Sequence, residues 1–106
     1  MGVDAALIDE IVRRVLSVAK PERVIVFGSA ATGRMTRDSD IDILVLQAAT
    51  ANPREEIVRI GDALRGLGYP FDVIVMTTDR FEETRDVIGG VAYPASKYGE
   101  VIYEAA

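Results

Sequence analysis

Apolar positions along the chain alternate between two rhythms, one helical and one strand-like. From Asp4 to Ala19, the residues Leu7, Ile8, Ile11, Val12, Val15, Leu16 and Ala19 recur at helical spacing and make one apolar stripe. Asp4 is placed to cap this helix, and Lys20-Pro21 supplies a basic residue and then a breaker at its end. Arg23 to Phe27 is continuously apolar after its first residue and rich in β-branched side chains, the pattern of a strand buried on both faces. Gly28 to Ser39 is small and polar, with room for one helical turn from Ser29 that Gly33 would stop. Ile41 to Leu46 reads as a second strand, and Gln47 to Asn52 as a loop. Pro53 opens a second amphipathic helix with Ile57, Ile60, Ala63, Leu64 and Leu67 on its stripe, ended by Gly66 and Gly68. After Pro70 comes a third strand, Phe71 to Met76. Asp79-Arg80-Phe81-Glu82 has the form of a capping box, opening a third helix that reaches about Ile88 before Gly89-Gly90. A short helical turn over Tyr93–Tyr98 and an edge strand at Val101–Tyr103 complete the series. The expected fold is α/β (α+β): a small mixed sheet of about four strands with helices packed on it.

Composition narrows the chemistry. The 106 residues fit one small domain spanning 1–106, with a mostly aliphatic core, since Trp is absent and only four Tyr and three Phe are present. Twelve basic against seventeen acidic residues give a net charge of −5, a poor balance for nonspecific contact with a nucleic-acid backbone. Direct nucleic-acid binding is therefore not expected, although a metal ion could bridge acidic residues to the phosphates of a nucleotide. Cys and His are both absent. That excludes a disulfide framework, a Cys nucleophile, a serine triad, a histidine base and the usual structural zinc site. Proton transfer would fall to a carboxylate, Lys, Tyr or water. No apolar run approaches the roughly 20 residues of a membrane span. The start Met1-Gly2-Val3-Asp4 lacks a signal peptide's basic region, and Ala6 argues against myristoylation at Gly2. A cytoplasmic location is expected.

Acidic residues inside apolar strands are the main anomaly. Asp40 and Asp42 are two apart at the start of the second strand, so their carboxylates would share a face. Two like charges there call for something positive between them, and hard cations such as magnesium prefer carboxylate oxygens. The alternative is a polar strand-entry turn in which Ser39 and Asp40 cap the backbone; the spacing alone leaves both open. Asp72 enters the third strand much as Asp42 enters the second, either as a third ligand or general base or as a solvated residue. Gly28-Ser29 follows a buried strand and precedes a helical turn. Gly would let a phosphate approach the backbone, and the hydroxyl adds a donor, but such turns also simply end strands. Gly33 reads as a helix C-cap or as part of the same turn.

Together these elements are more specific than any one of them. Phe27-Gly28-Ser29-Ala30-Ala31-Thr32-Gly33, followed by Asp38-Ser39-Asp40-Ile41-Asp42-Ile43-Leu44-Val45, resembles the G-S-x-x-x-G and S-D-x-D signature of the DNA polymerase beta-like nucleotidyltransferase superfamily. Asp72 lies where that superfamily's third carboxylate is expected. Tyr98-Gly99-Glu100-Val101-Ile102-Tyr103-Glu104 resembles the G-x-x-x-Y-E close of its minimal nucleotidyltransferase (MNT) group. One departure stands out: many relatives carry Arg between the two glycines, where this chain has Ala30, Ala31 and Thr32. Arg34 and Arg37 lie nearby and could serve the triphosphate.

The resemblance implies transfer of a nucleoside monophosphate, AMP being the expected one, from ATP or another nucleoside triphosphate to a hydroxyl. Two Mg2+ ions are implied, with Asp40, Asp42 and Asp72 as metal ligands and catalytic carboxylates. Gly28, Ser29, Gly33 and Ser39 would form the nucleotide-binding part. Larger relatives add a helical domain that grips the acceptor. Here the acceptor is expected to bind an open face or to be supplied by a second protein, and a homo-oligomer could build a pocket for a small-molecule acceptor. MNT proteins are typically paired with a HEPN partner in toxin–antitoxin modules, and some adenylylate a tyrosine of that partner. Two alternatives are an antitoxin that acts by binding alone and a nucleotidyltransferase of antibiotics or sugars.

Overall fold

In the computed structural model, which describes residues 4–33 and 39–106, the first apolar stripe forms helix α1 (Ala5–Val18). The Asp4 carboxylate accepts a hydrogen bond from the Leu7 N–H at 2.8 Å, the capping contact expected from its position. Ile11 and Val15, one turn apart on the stripe, are fully buried. Strand β1 (Arg23–Phe27) follows, then the single turn α2 (Ser29–Thr32), β2 (Ile41–Gln47) and α3 (Pro53–Ala63). The chain continues through β3 (Phe71–Thr77), α4 (Thr78–Thr84), α5 (Ala92–Tyr98) and β4 (Glu100–Glu104).

The four strands form one sheet in the order β3-β2-β1-β4. It is mixed: β1 runs antiparallel to both β2 and β4, whereas β2 and β3 are parallel and need α3 as the crossover between them. Strand alternation sends Val24, Val26, Ile41, Ile43, Val45 and Val73 to a core shared with α1, α2 and α3. The other face carries Ile25, Phe27, Leu44 and Leu46 to a core shared with α4 and α5, around Phe81, Ala92 and Ala95. Both faces of β1 and β2 are thus covered, which is why their sequences are apolar without interruption.

Several boundaries differ from the sequence expectation, each for a local reason. Gln47 belongs to β2, paired in register with Thr77, and is only 6% exposed. Its amide is satisfied by both carboxylate oxygens of Glu56 at 3.0 Å, so the strand can carry a polar side chain inward. Helix α3 stops at Ala63. Leu64 is still buried and its N–H still bonds to the Ile60 carbonyl, but Leu67 packs from the turn that follows. The cap of α4 is Thr77, whose hydroxyl accepts from the Arg80 N–H at 3.2 Å; Asp79 lies inside the first turn, so no capping box begins there. That helix ends at Thr84, and Val87 and Ile88 are exposed, because neither core reaches them. Helix α5 extends from Ala92, beyond a single turn, since Ala92 and Ala95 both bury against the sheet.

The junction from α5 to β4 is tight. A Cβ on Gly99 would lie 2.3 Å from the Ala95 carbonyl oxygen and 2.7 Å from Cγ2 of Ile25. Beyond it, Tyr103 packs on the α1/α3 core and Glu104 pairs with Arg23 at 3.2 Å. The G-x-x-x-Y-E close is therefore accounted for by packing and pairing along β1. Among the described residues no helix is long and apolar enough to cross a membrane.

Candidate active site

Strand parity decides where the acidic residues go. On β2 and β3, Leu44, Leu46, Ile74 and Met76 face the α4/α5 core. Asp42 and Asp72, two residues before Leu44 and Ile74, project from that same face at the starts of the two strands. The parallel register puts Asp42 directly beside Asp72. The strands are neighbours, as the convergence of carboxylates required.

Asp42 is half-buried, while Asp40 and Asp72 are exposed. Burial pushes the Asp42 carboxyl above its ordinary value, and the charges of Asp72 and Asp40, with a hydrogen bond to Asp72, push it further the same way. Asp72, in contact, and Asp40, through charge, therefore both act on Asp42. Among the described residues no three acidic side chains are grouped as a finished metal cage. Bare carboxylates repel, and an ion would be needed to draw a third one in. The donor set, carboxylate oxygens brought together at a partly exposed sheet end, suits a hard divalent cation.

Gly28 lies across from this pair, because β1 and β2 are paired so that Phe27 stands opposite Asp42. Its backbone is at φ 72 and ψ −150, a region nearly reserved for glycine. The Gly28 carbonyl accepts from the Ala31 N–H at 3.2 Å as α2 begins. A Cβ on Gly28 would lie 2.2 Å from Oδ2 of Asp42. The turn α2 closes at Gly33, at φ 77, whose N–H bonds to the Ser29 carbonyl. A Cβ at Gly33 would meet nothing within 4 Å, so the left-handed backbone alone favours glycine there, the C-cap reading. Ser29 and Ser39 are half-buried at the two ends of the connection between β1 and β2. Ala30, one of the three residues between the two glycines, is fully buried in the α1/α3 core. Arg34, Arg37 and Asp38 lie outside the described residues.

The contact between Gly28 and Asp42 has no counterpart in the sequence reading, which gave the glycine either to phosphate or to a simple strand end. Nothing in the spacing signals it. It arises from the antiparallel register of β1 and β2 across an intervening loop.

A fold with helices on both faces of a small mixed sheet, and paired Asp residues opening two adjacent strands beside a Gly-Ser turn, defines a nucleotidyltransferase type of domain. A family model described as "Nucleotidyltransferase domain" matches residues 8–92, which include Gly28, Ser29, Asp40, Asp42 and Asp72. The chain belongs to that family. Among solved structures, a toxin–antitoxin complex with AMP-PNP contains a similar chain: TM-score 0.73 and 20% identity, over 92% of this chain and 73% of that one. The toxin–antitoxin MntA–HpeT, in a mutant form, is similar at TM-score 0.72 and 19% identity, with the same coverage of 92% and 73%. A third likeness is to the complex of a tri-AMPylated HEPN toxin with an MNT antitoxin from Shewanella oneidensis, at TM-score 0.67 and 18% identity, over 94% of this chain and 71% of that one. At these identities the likeness is one of fold. No curated protein matches the chain.

Proposed function

We propose that this nucleotidyltransferase domain uses Mg2+ to move AMP from ATP to a hydroxyl of a HEPN-type partner protein, as the antitoxin of a toxin–antitoxin module in the cytoplasm. The observation that carries this reading is the pairing of Asp42 with Asp72 on adjacent parallel strands, beside the Gly28-Ser29 turn. The three similar complexes support the choice of donor and partner, since AMP-PNP, HEPN toxin and AMPylation are what those proteins are described with.

In this scheme Asp40 and Asp42 hold Mg2+, and Asp72 joins them as a further ligand. Bound there, the metal would supply positive charge to the reacting phosphates. The backbone at Gly28 and the hydroxyl of Ser29 hold the departing phosphates, with Ser39 and Gly33 shaping the nucleotide-binding loop around them. The acceptor oxygen attacks the α-phosphorus as the bond from that phosphorus to the pyrophosphate oxygen breaks. The acceptor proton passes to the Asp72 carboxylate, which is exposed and can release it to water. A cation bound there would relieve the repulsion that Asp72 and Asp40 exert on Asp42.

The test is to incubate the purified chain with α-labelled ATP, Mg2+ and a HEPN protein encoded beside it, then follow label into protein. Label on a partner tyrosine that disappears with Asp42→Asn is the expected result. Full transfer by that variant would overturn the assignment, and tight partner binding without label would replace transfer by occlusion.

A further inference from the structure

We infer that Gly28 is a positioning residue for Asp42: the glycine has no side chain because the Asp42 carboxylate occupies the place a Cβ would take. The assumed reason for a glycine in this turn is access of phosphate to the backbone. The geometry gives an independent reason. A Cβ built on Gly28 meets Oδ2 of Asp42 at 2.2 Å and its Cγ at 3.2 Å. No real Cβ contact approaches the first distance, so either the carboxylate or the turn would have to move. The backbone of Asp42 has little freedom to do so. Its strand is held on one side by β1 through the Phe27–Asp42 pair and on the other by β3 through the Asp42–Asp72 pair. Its neighbours on β2, Ile41 and Ile43, are fully buried. The least costly response to a side chain at position 28 is rotation of Asp42 away from β1, which changes the place where its oxygens meet a cation.

Backbone conformation makes this testable by chirality. At φ 72 and ψ −150, Gly28 occupies the mirror image of the extended region common to L-residues. A D-residue is therefore unstrained there, and its Cβ replaces the hydrogen that does not face Asp42. The chain contains no Cys. Ligation at the Ser29–Ala30 junction through a temporary Cys, followed by desulfurisation, returns the native residue and permits Gly28→D-Ala in the full chain.

Thermal unfolding of the metal-free chain gives the first readout. Gly28→Ala is expected to lower the midpoint by roughly 8 °C or more, from steric conflict and backbone strain together. In the Asp42→Ala background at least half of that loss should vanish, leaving the strain alone. Gly28→D-Ala should stay within about 2 °C of the unmodified chain, since a D-residue meets neither cost. The second readout rests on the proposed transfer activity. Gly28→Ala should raise the Mg2+ concentration for half-maximal rate ~10-fold or more, as displaced support of a metal ligand does, with a smaller change in KM for ATP. An equal cost of Gly28→Ala with and without the Asp42 carboxylate would overturn the inference, as would a Gly28→D-Ala chain as unstable as Gly28→Ala. A native chain that transfers no nucleotide would instead refute the proposed function, and the unfolding cycle would still decide the role of Gly28.

Discussion

Gly28 and Gly99 are both hemmed in at a strand end, yet for opposite reasons. At Gly99 the backbone is ordinary, φ −79, and the obstacle is the protein's own scaffold: the Ala95 carbonyl and the Ile25 side chain. At Gly28 the backbone is of a kind only glycine adopts readily, and the obstacle is a carboxylate. One glycine lets α5 turn into β4 against a packed core. The other lets an acidic side chain sit beside the turn that precedes α2. The contrast separates a glycine kept for stability from one kept for a charge, although both belong to motifs that resemble the same group.

The largest expected effect falls on the charged side of this contrast. Asp42→Asn should cut Mg2+-dependent transfer by at least ~100-fold, the upper range seen even for residues that merely support a ligand. The same variant should unfold at a higher temperature than the native chain when no metal is present, because it removes a half-buried charge facing Asp72 and Asp40. Loss of both activity and stability would mean that Asp42 is structural, like Gly99.

Gly99→Ala should act in the reverse sense. Its methyl group has no room, and overpacking of this kind costs about 1–3 kcal/mol. A midpoint lowered by roughly 4–8 °C for each kcal/mol, with the Mg2+ requirement of the folded fraction unchanged, is the signature expected. A shifted Mg2+ requirement would erase the distinction between the two glycines.

A smaller loss is expected at the cap shared by β3 and α4. Thr77→Ala removes the hydroxyl that accepts from the Arg80 N–H, at a cost of about 1 kcal/mol seen in urea unfolding. Because α4 covers the site-bearing face of the sheet farther along β3, activity of the folded chain should be retained.

Least of all, and remote from both glycines, is the surface trio on α1. Hydrogen bonds from Arg13 and Arg14 hold Glu10 down to about 2, below its ordinary carboxylate value of 4.5. A depressed folded-state value stabilises the protein above the unfolded value and stops doing so as pH falls through the folded one. Glu10→Gln should therefore lower the unfolding midpoint slightly at pH 7, with the difference from the native chain closing between pH 4.5 and pH 2. Arg13 is exposed and Glu10 and Arg14 are only half-buried, so the gap at neutral pH should shrink with added salt.

Much of the fold was legible because it is written in local periodicity. The bounds of β1 coincide with the apolar run Arg23–Phe27, and α1 begins after Asp4 as its capping residue requires. The misplaced bounds are those that local signals leave open. Gln47 extends β2 by pairing with Thr77, and its buried amide, with the nitrogen turned inward, reaches Glu56 from a different element. The start of α4 follows Thr77 rather than Asp79, since the end of β3 fixes where the chain can turn. Val87 and Ile88 continue an apolar pattern that no core claims. At the site, Asp40, Asp42 and Asp72 stood out as charges interrupting apolar strands, and Gly28 as the glycine ending one.

The sequence by itself thus determined the helices, the strands and the residue types available for chemistry, since periodicity, caps and the absence of Cys and His are properties of the chain. Which of those residues meet was decided only by tertiary structure. The β2–β3 register brings Asp72 to Asp42, and the β1–β2 register turns Asp42 toward Gly28. Registers are set by pairing between segments distant along the chain and by which face each strand must bury, and no local pattern encodes them.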